Sequence, residues 1–317
     1  MAWSSTDKNS KPTAYEVNGV RGKKWVCRSN EEWRAERAHS IGASAVGILI
    51  GENPFTTPME LAHKMRAELR GEFDYTQNMA MRIGHAFEGG VAQLFKEETG
   101  HQVIQASRAE YLLRRDDLPF MHVSPDRTYW LDESVSKHGD KGNLNKGILE
   151  CKTTSMPVDA DNLPMSWIFQ LQDQMGVSGL RHGAIAWFVF PTRTFGYREF
   201  DYDEEIFAAV VEVCRDFWER CIEGGEEPEP VNVRDLASLY PRHTLGKTLT
   251  VSGETEKAIA GLKELKEAKK ELEDAIEEEA DRLKMQFTDE EAMVDNSGRV
   301  LCTFKTNSRG MRQLLIK

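Results

Sequence analysis

The run Gly147-Ile148-Leu149-Glu150-Cys151-Lys152 sets two opposite charges into an otherwise apolar stretch. Side chains alternate across a strand, so Glu150 and Lys152 share one face. Upstream, Met121-His122-Val123-Ser124-Pro125-Asp126 reads as a second apolar strand ending in Ser-Pro-Asp. Asp126 then reaches the Glu150 face from a neighbouring strand, and two carboxylates converge with an amine. Carboxylate oxygens hold Mg²⁺, which keeps several waters and binds substrate phosphate. The lysine can orient the attacking water or neutralise charge on the phosphate. This is equipment for metal-assisted hydrolysis of a phosphodiester. Taken alone, Glu-x-Lys on a strand also describes a surface ion pair.

The chain has 317 residues, 40% hydrophobic and 29% charged, which suits a soluble globular protein of one large or two ordinary domains. No apolar run is long enough for a membrane span, and the polar segment Met1 to Lys11 lacks the apolar region of a secretory signal. Cys27, Cys151, Cys214, Cys221 and Cys302 are dispersed without zinc spacing, as expected of free thiols in a reducing cytoplasm. The net charge of −11 is uneven. Residues 1–200 carry 24 basic and 25 acidic side chains, whereas residues 201–230 carry 2 and 11. The acidity therefore lies outside the candidate site, and net charge neither supports nor excludes a DNA substrate.

Along the chain, residues 1–30 read as irregular, with Gly19 to Gly22 as a turn. A helix is expected over Glu31 to His39 with Asn30 as its cap, and a short one from near Ser44. Thr57-Pro58 opens a helix to about Leu69. Met79 to Gly100 is the first long helix, carrying Glu88 and glycines at 84, 89 and 90 that suit close approach to a sheet or to DNA. Strands follow at about 102–111, 119–130 and 146–153, with an exposed hairpin loop from Asp132 to Lys146. Met165 to Ser178 is a helix and Ala184 to Phe190 a buried strand. Phe195 to Tyr202 pairs with that strand, and Asp203 caps a helix to about Ile222. The Pro/Glu segment Glu226 to Pro230 is the expected boundary between a domain at 31–230 and an extension at 231–317. The extension reads as a charged helix over Glu254 to Met285 with one apolar seam, then a β-hairpin. In that hairpin Arg299, Lys305, Arg309, Arg312 and Lys317 have no acidic sequence neighbour, so it could touch DNA phosphates or balance the acidic helix.

The Ser-Pro-Asp and Glu-x-Lys pair resembles the PD-(D/E)XK nuclease signature, and the wider chain resembles the YqaJ-like viral recombinases, the group that includes the phage lambda-type exonuclease. The resemblance spans roughly residues 33–230. It implies an α/β, restriction-endonuclease-like core with a mixed sheet flanked by helices, in the order helix–strand–strand–strand–helix–strand. It implies Asp126, Glu150, Lys152, Glu88 and Gln170 as catalytic residues, with Asp126, Glu150, Cys151 and Glu88 at a Mg²⁺ centre that Mn²⁺ also fills. Arg37, Ser44 and Ser124 would hold a DNA 5′-phosphate, and Trp33, Arg127 and Gln172 would lie near DNA. Without the resemblance, Ser44 reads as a helix cap, Arg37 as a solvated helix residue, and the glutamines as a wet helix face. The implied activity is 5′→3′ digestion of duplex DNA ends in phage-type recombination. The alternatives are an endonuclease of the same fold or a catalytically silent end-binding scaffold. A single-strand annealing protein, a ring-shaped trimer and the cytoplasm of a bacterial host complete the expectation. One departure stands out: Arg127 occupies the place where such proteins commonly carry Gly.

Overall fold

The computed structural model describes residues 11–74, 76, 78–104, 111–131 and 145–317. Two compact units divide between Arg242 and His243. The first begins with a hairpin, β1 (Thr13–Val17) and β2 (Val20–Val26), where an irregular segment was expected. Its turn is Asn18-Gly19, both at positive φ (49° and 79°), the geometry that Asn-Gly adopts in two-residue hairpin turns. The next helix, α1 (Asn30–Arg37), starts one residue earlier than expected, because Ser29 is the cap and accepts a hydrogen bond from the Glu32 amide.

The central five-stranded sheet has the order β10-β9-β8-β7-β4 and is mixed, as the resemblance implies. Strand β8 (Lys146–Thr154) runs parallel to β9 (His182–Val189) and antiparallel to β7 (Arg127–Trp130). β10 (Thr194–Asp201) and β4 (Gln102–Ile104) close the two edges. Alternation along β8 divides its side chains between two helices. Leu149 faces Val91, Ala92 and Phe95 of the long helix Met79–Thr99. Ile148 faces Leu171 and Met175 of the helix Met165–Ser178. A third apolar cluster lies beyond that helix, where Val177 meets Val46, Phe207, Val210 and Cys214. Gly176 permits this helix contact, since a Cβ there would sit 2.2 Å from the Phe207 ring.

The expected strand over 119–130 is two strands. Met121–His122, here β6, pairs in parallel with Ile41–Gly42, here β3, outside the central sheet. Pro125 has no N–H for a ladder, and the chain bends at Ser124-Pro125-Asp126 before β7 begins. Ser124 and Asp126 therefore do not share one strand. The expected strand over 102–111 is β4 and, across residues outside those described, β5 (Tyr111–Arg115), which joins the N-terminal hairpin instead. Of the expected loop from Asp132 to Lys146, residues 132–144 lie outside the described residues, and Lys146 already belongs to β8.

The segment after Pro230 stays with the first unit. In the helix Val233–Leu239, the buried Asp235 accepts hydrogen bonds from Thr57 Oγ1 (2.8 Å) and the Val231 amide (3.0 Å). The second unit contains the helix Gly253–Lys284, none of whose residues is buried. Three strands follow rather than two: Ala292–Val294, Val300–Thr306 and Arg312–Ile316. Two of its basic residues do have acidic neighbours, Lys305 with Glu291 at 3.2 Å and Arg299 with Asp295 at 3.8 Å. No described helix is long and apolar enough to cross a membrane.

Candidate active site

Glu150 is 3% exposed, and three side chains donate hydrogen bonds to its carboxylate. Lys152 Nζ (2.7 Å) and Gln170 Nε2 (2.6 Å) reach Oε1, and Gln174 Nε2 (2.8 Å) reaches Oε2. Lys152 Nζ also donates to Gln170 Oε1 at 2.7 Å. The arrangement follows from two periodicities. Residues 150 and 152 share a strand face, and residues 170 and 174 are one helical turn apart on the helix packed over that face. A buried carboxylate survives because it is paired and fully hydrogen-bonded. Gln174 was absent from the residues anticipated from sequence, although its i+4 spacing from Gln170 was the available signal.

Asp126 enters from the bend before β7, and its Oδ2 accepts from the Cys151 amide at 2.9 Å. Burial, then repulsion from Glu150 and Glu88, pushes its carboxyl well above the usual range, opposed by Lys152 and the Cys151 amide. Cys151 meets the site through its backbone. Its side chain packs with the Leu149 face against the long helix, and burial, then repulsion from Asp126, Glu150 and Glu88, pushes the thiol far up. Glu88 lies on the long helix and is paired with the Arg127 guanidinium, which also donates to the Asp126 carbonyl at 2.6 Å.

The donor chemistry fits a hard divalent cation at Asp126 and Glu150. Both are carboxylates, and their mutual repulsion is what a cation would relieve. Among the described residues no three His, Cys, Asp or Glu side chains are gathered closely enough to hold a metal as they stand.

A second cluster adjoins the first. Arg37 Nε donates to His122 Nε2 at 3.2 Å, and its guanidinium lies 4.2 Å over the Trp33 ring. Because Nε2 accepts, the ring proton sits on Nδ1 and points to Ser40 Oγ at 2.9 Å. His122 is buried, and burial with the Arg37 and Arg114 charges holds it well below its usual pKa, so the ring is neutral. Ser44 is exposed, in the 3₁₀ turn Ala43–Ala45 directly after β3. Ser124 follows β6, and its buried Oγ has no hydrogen-bond partner, like the Trp33 indole N–H. Gly42 and His122 are register partners, so each serine lies two residues past the paired strand ends.

Two neighbours on the helix Met165–Ser178 point elsewhere. Gln172 is buried and clamps the chain at 201–203, donating to the Asp201 carbonyl and accepting from the Asp203 amide, so its side chain is not placed to meet DNA. Asp173 is also buried, and neither carboxyl oxygen has a partner. Gly89 and Gly90 face open space rather than the sheet, and a Cβ added at Gly84 would lie 3.8 Å from Thr153 Oγ1.

Residues 32–181 match the sequence profile of the YqaJ-like viral recombinase domain. The uncharacterized protein YqaJ of Bacillus subtilis is 26% identical over 272 residues, covering 83% of this chain and 80% of that protein. Among solved structures, an alkaline exonuclease from Laribacter hongkongensis gives a TM-score of 0.46 at 18% identity, over 67% of this chain and 100% of that one. A phage related exonuclease from Haemophilus somnus 129PT gives 0.42 at 14% identity, over 59% and 96%. Both clusters described above fall inside residues 32–181, the segment that is similar to the YqaJ-like viral recombinase domain.

Proposed function

We propose that this chain is a metal-dependent DNA nuclease that digests linear duplex from its 5′ ends in phage-type recombination. The observation that carries this reading is the convergence of Asp126, Glu150 and Lys152 at one end of the central sheet. Mg²⁺, or Mn²⁺ in its place, is the proposed cofactor, with Asp126 and Glu150 as its side-chain ligands and Glu88 joining them once it parts from Arg127. When bound it would polarise the scissile phosphate and lower the pKa of a water. Gln170 and Gln174 fix the Glu150 carboxylate, so no reorganisation is needed when charge develops. Lys152 donates toward the attacking water or a phosphate oxygen. Arg37, Ser44 and Ser124 hold the terminal 5′-phosphate: Arg37 brings a charged fork and Ser124 an unpaired buried hydroxyl. The exposed single strand would pass to an annealing protein in the cytoplasm of a bacterial host, and a ring-shaped trimer would keep the enzyme on its substrate.

The test is digestion of end-labelled linear duplex with Mg²⁺ or Mn²⁺. Asp126→Ala and Glu150→Ala are each expected to abolish cleavage while circular dichroism and melting report an intact fold. Lys152→Ala should slow the chemical step more than it weakens metal binding. Metal-dependent cleavage surviving in either carboxylate variant contradicts the site. Cleavage of closed circular DNA at the same rate as linear DNA makes the chain an endonuclease.

A further inference from the structure

An ion pair next to the candidate metal site involves Arg127, the residue that departs from the resemblance. Arg127 opens β7 directly after Asp126, and its guanidinium is paired with Glu88 and bonded to the Asp126 carbonyl at 2.6 Å. Both side chains are largely withdrawn from solvent, at 18% and 22% exposure, so solvent screens the pair only in part. Glu88 in turn adds to the repulsion on Asp126, so the pair sits next to the candidate metal ligands. A divalent cation approaching Asp126 and Glu150 meets this positive charge on its flank and finds Glu88 already paired.

We propose that Arg127 is an internal counter-ion that competes with the divalent cation for Glu88 and thereby sets the metal affinity of the site. The proposal rests on the metal-dependent reading above. A glycine at position 127 would offer no such charge. In this chain the guanidinium neutralises Glu88 while no metal is bound, and metal binding must separate the pair or tolerate the like charge beside it. Arg127 is thus a positioning residue, acting on the metal through Glu88.

The test is Mn²⁺ binding by titration calorimetry on the full chain, comparing wild type with Arg127→Gln and Arg127→Met. Removing one like charge a few ångströms from a divalent cation is expected to tighten Mn²⁺ by about tenfold. Without metal, both variants should melt below wild type, because Glu88 loses its partner. Their Mn²⁺-induced rise in Tm should be larger than that of wild type. Glu88→Gln should cost more affinity in the Arg127→Gln background than in wild type, since only there is Glu88 free to bind. Two substitutions guard against one that fails to fold, and the melting curves identify it. Equal or weaker Mn²⁺ binding in the folded Arg127 variants, with wild type still binding, overturns the proposal and leaves the nuclease reading standing. A wild type that binds no Mn²⁺ overturns both.

Discussion

Asp173 and Glu150 are both buried acids reached by the same helix, yet their surroundings differ. Glu150 receives donors on both oxygens, whereas Asp173 has none. Burial alone pushes the Asp173 carboxyl well above its usual range, and burial, then the Asp173 charge, raises the neighbouring Cys214 thiol. The consequence for stability has a definite sign. Above the ordinary carboxyl pKa of about 3.9, the unfolded chain releases this proton while the folded chain retains it. Stability therefore falls with rising pH, by up to ~1.4 kcal/mol per unit, until the folded group ionises. Asp173→Asn removes that loss. The variant should be more stable than wild type, with a gain in urea unfolding that grows as pH rises above the ordinary carboxyl range. A gain that does not vary with pH would contradict the assignment. His122 works in the opposite direction. Its lowered pKa means that the unfolded chain binds the extra proton first below about pH 6.5, so its contribution to stability is lost as pH falls.

At the scale of elements, what the sequence revealed depended on the kind of signal. Thr57-Pro58, the helix Met165–Ser178 and the β9–β10 pair carry local signals and formed as expected, including a capping box at Thr57 and Glu60. The strand through Ser124-Pro125-Asp126 did not, because apolar alternation hides a change of partner. Its first half pairs with β3 and its second with β8, and only the proline marks the bend. The bend spans the three residues that separate His122 from Asp126. His122 was invisible as a site residue because its role is a buried tertiary contact with Arg37, and Asp173 looked like any polar helix position. The helix Val233–Leu239 likewise lies beyond the Pro/Glu segment yet is tied back by Asp235. A chain ending at Pro230 loses this carboxylate and leaves the buried Thr57 hydroxyl without its partner. It should be less stable than a chain ending at Arg242 by about 1–3 kcal/mol in denaturant unfolding. Equal stability of the two would show that the helix contributes nothing to the first unit.

At the scale of the whole molecule, the acidic surplus and the proposed DNA site separate along the sequence. Residues 1–200 are nearly balanced, so Arg37 and Lys152 act locally, not within a broad basic surface. Recognition of an end by a few aimed donors predicts sensitivity to the chemistry of that end. The central claim is that a terminal 5′-phosphate is held beside the Asp126–Glu150 site. The direct measurement compares digestion of linear duplexes that differ only in a 5′-phosphate or 5′-hydroxyl, by wild type and Arg37→Ala, with the divalent metal present. Wild type should degrade the phosphorylated duplex faster. Arg37→Ala should erase most of that preference, because one charge-assisted contact is worth about 1.5–3 kcal/mol, or roughly ten- to a hundredfold in rate. Indifference of wild type to the 5′ group, or digestion only from 3′ ends, would contradict the account.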